Sequence, residues 1–370
     1  MNFGPNHYVA VLQLRRAERD ALALLENDLV GSVTPLIEVS KIGIKTVKDS
    51  KNPKGRKEPK SLAEHLKTCF DAKAVSSLGR FGRCLLDLHH IQSGDEESAR
   101  AVFDLASRLK ITFTPVTGLS RKGDVVPALE RSQNGIALRL VPADFERCVV
   151  RRVLPTFIAT HNLDPAQVDL VIDLCWVDKM VVAGVLNKAE AFLRDVPYPQ
   201  SWRTLSLIGC AVPLSMGFID RDGYGTADRT EFRAWRDHLY RDRGVLPRLP
   251  TFGDHGVRHL GGGDDEIDFS KGIWFSPTIR YARSDQWLIV KGHSTEHEHA
   301  SKQIPRLSRI LVRGKLKDHF DGKNHCPGCE GAIWSASSAT GYRTPEAWVR
   351  LGTVHHITNT VRQIQSLAWP

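Results

Sequence analysis

The chain has 370 residues, 41% hydrophobic and 25% charged, and a net charge of +9. This composition is ordinary for a globular protein, which excludes the disordered and collagen-like classes, and no apolar stretch reaches the roughly 18–20 residues a helix needs to cross a bilayer. The length implies one large domain with an appendage, or two domains.

The N-terminus, MNFGPNHYVAV, lacks a basic region followed by an apolar one, so no signal peptide is expected. Seven cysteines (Cys69, Cys84, Cys148, Cys175, Cys210, Cys326 and Cys329) are sparse and odd in number. Such usage fits a reducing cytoplasm rather than a disulfide framework.

Along the chain, eight short apolar runs are bounded by turn residues. The first two are YVAVLQL from Tyr8 and SVTPLIEV from Ser32, with a helix predicted between them at 17–30. Residues 41–60 then hold eight Lys/Arg against two acids, which leaves +3 for the rest of the chain. This segment reads as a solvated basic loop, or as a contact for nucleic-acid phosphates through Lys45, Lys48, Lys51, Lys54, Arg56 and Lys57. No aromatic residue interleaves these cations, so a base-stacking platform is not expected there. The remaining runs are RCLLDLHH, ITFTPVTGL, GIALRLV, VDLVIDLCWV, TLSLIGCAVPL and RLPTFGD. Helices are predicted near 61–79, 95–109, 123–133, 143–162, 179–195 and 226–243. Eight strands alternating with helices over roughly 250 residues predict a TIM-like (β/α)8 barrel.

After about residue 255 the pattern changes. HLGGGDDEIDFS reads as a loop, IWFSPTIRYARSDQWLIVKG as an irregular β-hairpin, and LSRILVRG as a helix end or short strand. Helices are expected at 344–351 and 356–367. The predicted organisation is a barrel over 1–255 and an α+β elaboration over 256–370 packed on its mouth.

In such a barrel, functional groups lie at the C-terminal ends of strands. Those positions hold Gln13, Arg15, Glu38, Asp87, His89, Thr117, Arg139, Asp173, Asp178 and Asp254. Residues two apart on a strand share a face, which pairs Gln13 with Arg15 and Asp87 with His89. Glu38, Asp87, Asp173 and Asp254 suit acid–base work or a divalent metal, and Arg15 and Arg139 suit a phosphate or carboxylate. The alternative is a polar layer in which these charges simply neutralise one another.

Two segments are metal candidates. Asp220, Asp222, Gly225, Asp228 and Glu231 match positions of a calcium loop, but the entering segment is strand-like. The competing reading makes Asp228 a helix N-cap and Glu231 its capping-box partner. Further on, Cys326 and Cys329 have C-x-x-C spacing, and His325, His355 and His356 offer completing ligands for zinc. The sequence has no P-loop, no dinucleotide fingerprint after a strand, and no H-E-x-x-H or G-x-S-x-G.

The opening YVAVLQLRRAERDALALL followed by VTPLIEV resembles the beta protein family, a group named after a protein of a T-even phage. FGDH at 252–255, PTIRYARSDQWLIVKG at 277–292 and WVRLGTVHHIT at 348–358 extend the resemblance almost end to end, and TADRTEFRAW favours the capping reading over calcium. The resemblance implies a barrel protein of bacteria and phages, found near phage-defence genes and without a settled activity. Its motifs cover Arg15, Glu38, Asp254, Arg280, Tyr281, Trp287, His355 and His356. The expected function is a phosphate- or nucleotide-like ligand site at the barrel mouth, with a part in antiphage defence. Asp87, Asp173, Asp254, His355 and His356 are its catalytic candidates; Arg15, Glu38, Arg139, Arg280 and Tyr281 are its ligand contacts. Cys326, Cys329 and His356 form the zinc set. The alternative is a non-catalytic protein- or nucleic-acid-binding component that uses the 41–60 segment.

Overall fold

A computed structural model describes residues 3–49, 52–91, 95–146, 149–242, 244, 246–259, 276–322, 326, 328–338 and 344–369, with backbone only at 44–46, 48, 49 and 52–57. Its strands are β1 (Tyr8–Gln13), β2 (Val33–Glu38), β3 (Ile44–Asp49), β4 (Asn52–Pro59), β5 (Cys84–Asp87), β6 (Phe113–Thr117), β7 (Ile136–Leu140), β8 (Val168–Trp176), β9 (Thr204–Cys210), β10 (Tyr224–Asp228), β11 (Thr251–Asp254), β12 (Thr278–Ala282) and β13 (Gln286–Lys291).

Eight of these close into a parallel barrel in the order β1-β11-β9-β8-β7-β6-β5-β2. They are the eight apolar runs of the sequence. Each is buried on both faces, because helices cover the outside and side chains fill the inside. Alternation sorts the two faces. Val9, Val11, Leu36, Leu85, Val116, Ala137, Val171 and Ile208 form the apolar interior. Residues of opposite parity, such as Tyr8, Ala10, Leu12, Ile37 and Leu86, pack outward against the helices. Below the apolar layer, Asp169 binds Arg83 and Arg203 at 2.8 and 2.7 Å. One step above it lie the polar side chains of the mouth.

Several predicted elements come out differently. The basic segment forms an antiparallel hairpin, β3–β4, instead of a loop. The helix expected at 17–30 is split into Arg16–Leu24 and Asn27–Val30, and that at 61–79 into Leu62–Cys69 and Ala72–Leu78. LSRILVRG, by contrast, is a helix end, one of its two expected readings: 307–312 close the helix Ala300–Val312. β10, expected as part of a loop and helix, pairs with β13, and β12 completes a three-stranded antiparallel sheet.

The two expected C-terminal helices are one, Pro345–Gln365. Thr344 caps it by accepting from the Ala347 N–H at 3.2 Å. Its centre is buried on every side, including Thr353, His355, His356, Thr358, Asn359 and Thr360. That polar stretch interrupts the apolar periodicity, which makes one helix read as two. Buried polar groups require partners. Here they find them in β12, β11 and β1 and in Arg229, which ties this helix to the outer wall of the barrel.

Candidate functional site

Strand parity carries Glu38, Asp87, Arg139 and Asp173 into the barrel at the C-terminal ends of β2, β5, β7 and β8. Arg139 sits among the three carboxylates. Its Nη1 donates to Glu38 Oε1 and Asp87 Oδ2, both at 2.7 Å. Its Nε and Nη2 donate to Asp173 Oδ2 at 2.9 and 2.6 Å. Arg121, from the loop after β6, grips Asp87 from the other side at 2.5 and 3.2 Å. Backbone N–H groups of His89 and Cys175 donate to Asp87 and Asp173 at 2.9 and 2.7 Å. Cys175 adopts a left-handed φ of 55° to do so.

Burial pushes the Glu38 carboxyl up, but Arg139, with help from His90 and His255, outweighs it and holds the group at about 2. Asp87 and Asp173 are likewise held well below the usual carboxylate range, burial being overcome by Arg121 and Arg139 in the first case and by Arg139 and His255 in the second. The network is therefore a fixed set of charges. Four of the five Arg139 N–H donors go to these carboxylates, so the sequence expectation that it grips an anion is corrected: its fork is taken up in organising carboxylates.

Imidazoles surround this network. His90 Nε2 lies 2.9 Å from Glu38 Oε2, and His255 Nε2 lies 3.6 Å from Asp173 Oδ1. His89 is exposed at the rim and meets His90 edge-on, with ring centroids 5.1 Å apart. Imidazole is the side chain suited to proton exchange near neutral pH. Of the other mouth residues, Gln13 reaches His90 at 3.3 Å. Thr117 donates to Asp124 at 2.5 Å, and Asp178 lies 3.7 Å from His259.

Beside the mouth, a cleft of about 610 Å³ opens between the barrel and the C-terminal elaboration. Among the described residues, Arg15, Arg258, Arg280 and Lys291 line it against a single carboxylate, Glu346. Arg258 comes from the loop after β11 and lies 3.5 Å from the buried Glu18. Arg280 donates to the Val257 carbonyl at 2.6 Å. Lys291 donates to the carbonyls of Met216 and Ile219 at 2.8 and 2.7 Å. Trp348, Met216 and Val349 supply apolar wall.

Asp254 and His356 do not join the mouth. In register, Val9 lies beside Gly253 and Ala10 beside Asp254, so Asp254 faces outward. There it accepts from Tyr8 Oη at 2.6 Å and meets His356 Nε2 at 2.9 Å, with Trp287 stacked on the imidazole at 4.7 Å. Expecting Asp254 in one acidic cluster with Glu38, Asp87 and Asp173 is thus corrected by strand parity. His355 and Tyr281 form another group, with rings stacked at 3.9 Å beside Glu330.

The metal expectations also change. Cys326 and Cys329 are joined as a disulfide, and His356 is engaged with Asp254, so Cys326, Cys329 and His356 are not assembled as a zinc set. His325 lies outside the described residues. The calcium loop is not formed: β10 occupies 224–228, Glu231 is buried, and Asp222 pairs with His293 and Arg306 at 2.5 and 2.8 Å. Nor is Asp228 a cap, since it ends β10 and pairs with Arg233 at 3.4 Å. Among the described residues, one group of potential metal ligands has its atoms within 4.8 Å of one another, namely Asp321, Glu330 and His355.

The side chains of Lys45, Lys48, Lys54, Arg56 and Lys57, and the whole of Lys51, lie outside what is described. Sequence reasoning missed Arg121, His90, His255, Arg258 and Lys291. His90 and His255 stand immediately after positions it did single out, but Arg121 and Arg258 lie in loops whose paths no periodicity reveals.

A family model described as Beta protein matches residues 8–362. No curated protein and no solved structure matches the chain.

Proposed function

The chain belongs to the Beta protein family, and from that premise we propose that it binds a phosphate-bearing, nucleotide-like ligand in the cleft at the barrel mouth. The observation that carries this reading is the lining of that cleft by Arg15, Arg258, Arg280 and Lys291, with Glu346 the one carboxylate among the described lining residues. Guanidinium groups recognise phosphate through paired donors, and a low-dielectric wall strengthens them. The apolar surface of Trp348, Met216 and Val349 suits a base or another flat group. Glu38, Asp87 and Asp173 are held ionised by Arg139 inside the barrel mouth, apart from the lining of this cleft.

A thermal-shift screen with nucleoside mono-, di- and triphosphates and pyrophosphate tests this reading. At least one of them is expected to raise the melting temperature in a concentration-dependent way. A screen without any such shift counts against it. The part in phage–host conflict rests on the family resemblance. Plating efficiency of phage on cells with and without the protein tests it, and equal efficiencies across a phage panel reject it.

A second reading places nucleic acid on the β3–β4 hairpin, where eight Lys/Arg fall within residues 41–60. Its mark is binding that weakens steeply with salt and is lost on deletion of 45–60. Binding that survives that deletion rejects it.

A further inference from the structure

We propose that Asp321, Glu330 and His355 bind one zinc ion within the C-terminal elaboration, apart from the cationic cleft. The three ligand atoms lie within 4.8 Å of one another and come from separate segments. Asp321 follows a short helical turn, Glu330 opens the helix Glu330–Ala336, and His355 is mid-way along Pro345–Gln365.

The imidazole supplies the decisive detail. His355 Nε2 lies 2.8 Å from the Ala282 carbonyl oxygen. A carbonyl only accepts, so Nε2 carries a hydrogen and donates it outward, which leaves Nδ1 as the atom aimed at the carboxylates. That Nδ1 is fully buried and has no hydrogen-bond partner. It faces Glu330 Oε1 at 3.3 Å. A proton on Nδ1 makes this contact an ion pair, and a divalent cation bound by both atoms would take that proton's place. The spacing is also that of two ligands on one tetrahedral zinc, about 3.3 Å for bonds of roughly 2.0–2.1 Å.

The surroundings match a metal site's supporting contacts. A ligating histidine usually donates its other N–H to a backbone carbonyl, which fixes its tautomer. The Cys326 N–H holds the second Glu330 oxygen at 2.8 Å. Tyr281 Oη lies 2.8 Å from Glu330 Oε1 and 2.9 Å from Asp321 Oδ2, and has one proton for two carboxylates. Arg283 reaches the other Asp321 oxygen at 3.2 Å and leaves Oδ2 turned inward. Two carboxylates and an imidazole suit a divalent transition metal, and Asp321 provides the exposed edge through which it enters. The bound ion would pin the long helix to β12 and to the segment around Glu330.

The test uses untagged full-length protein stripped with chelator and titrated with zinc by calorimetry, with metal content read by mass spectrometry. One zinc per chain is expected. Asp321→Asn removes an exposed ligand and should weaken binding at least tenfold while far-UV circular dichroism stays unchanged. Glu330→Gln keeps an acceptor for the Cys326 N–H and should do the same. Cys326→Ser/Cys329→Ser should retain the zinc. Absence of zinc binding overturns the proposal, as does wild-type affinity in both carboxylate variants. Loss of zinc in the cysteine variant alone assigns the ion to the thiols and also overturns it. Phosphate-ligand binding in the cleft is measured separately, so failure of one reading leaves the other standing.

Discussion

Arg139 illustrates how a single residue sets the character of the mouth. It converts three buried carboxylates, which would otherwise repel one another, into a rigid ionised floor. Glu231 shows the opposite outcome. Burial, reinforced by the charge of Asp254 and only partly offset by Arg229, pushes its carboxyl up to about 8. Its proton is therefore bound more tightly in the folded than in the unfolded chain. The stability this confers is full below an unfolded value of about 4.5, and declines as pH rises through 8. Urea unfolding of the wild type between pH 5.5 and 8.5 should register that decline. Glu231→Gln should flatten the difference, and an unchanged pH slope in the variant would assign the effect to other groups. The charges of the mouth were legible in the sequence because they end predicted strands. Which of them are inward was not: Asp254 sits at the same kind of strand end as Asp173, and only register separates them.

At the scale of elements, the eight barrel strands were readable because each is apolar on both faces and bounded by turn residues. The same logic explains what was not readable. β10, Tyr224–Asp228, alternates exposed and half-buried residues and lies in a segment rich in Asp and Gly, so its sequence imitates a calcium loop or a capped helix. The helix Pro345–Gln365 hides because its buried centre is polar, and the partners that make this tolerable come from distant segments. Packing inside the barrel is close at Gly253. A Cβ there would stand 2.6 Å from both Ile208 Cγ2 and the Val9 carbonyl oxygen. Gly253→Ala should therefore cost about 1–3 kcal/mol, the usual range for overpacking a core. Denaturant titration checks it, and a variant as stable as the wild type would mean that β11 yields more readily than its neighbours imply.

For the whole molecule, the cationic cleft exists because two parts meet. Arg15 and Arg258 come from loops of the barrel mouth, while Arg280 and Lys291 come from the β12–β13 hairpin of the elaboration. Neither part lines the site alone, which is why a strand-by-strand reading found Arg15 but not Arg258 or Lys291, and Arg280 came only from the family resemblance. The three-stranded sheet β10-β13-β12 makes the union firm, because β10 leaves the barrel sequence to pair with the elaboration. The most direct test of the anion site is calorimetric titration of the best nucleoside phosphate into wild type and Arg15→Ala. The site as described requires measurable binding that weakens with added salt and falls about tenfold or more in the variant, with its unfolding curve unchanged. Equal affinity in the two proteins, or binding indifferent to salt, would contradict it.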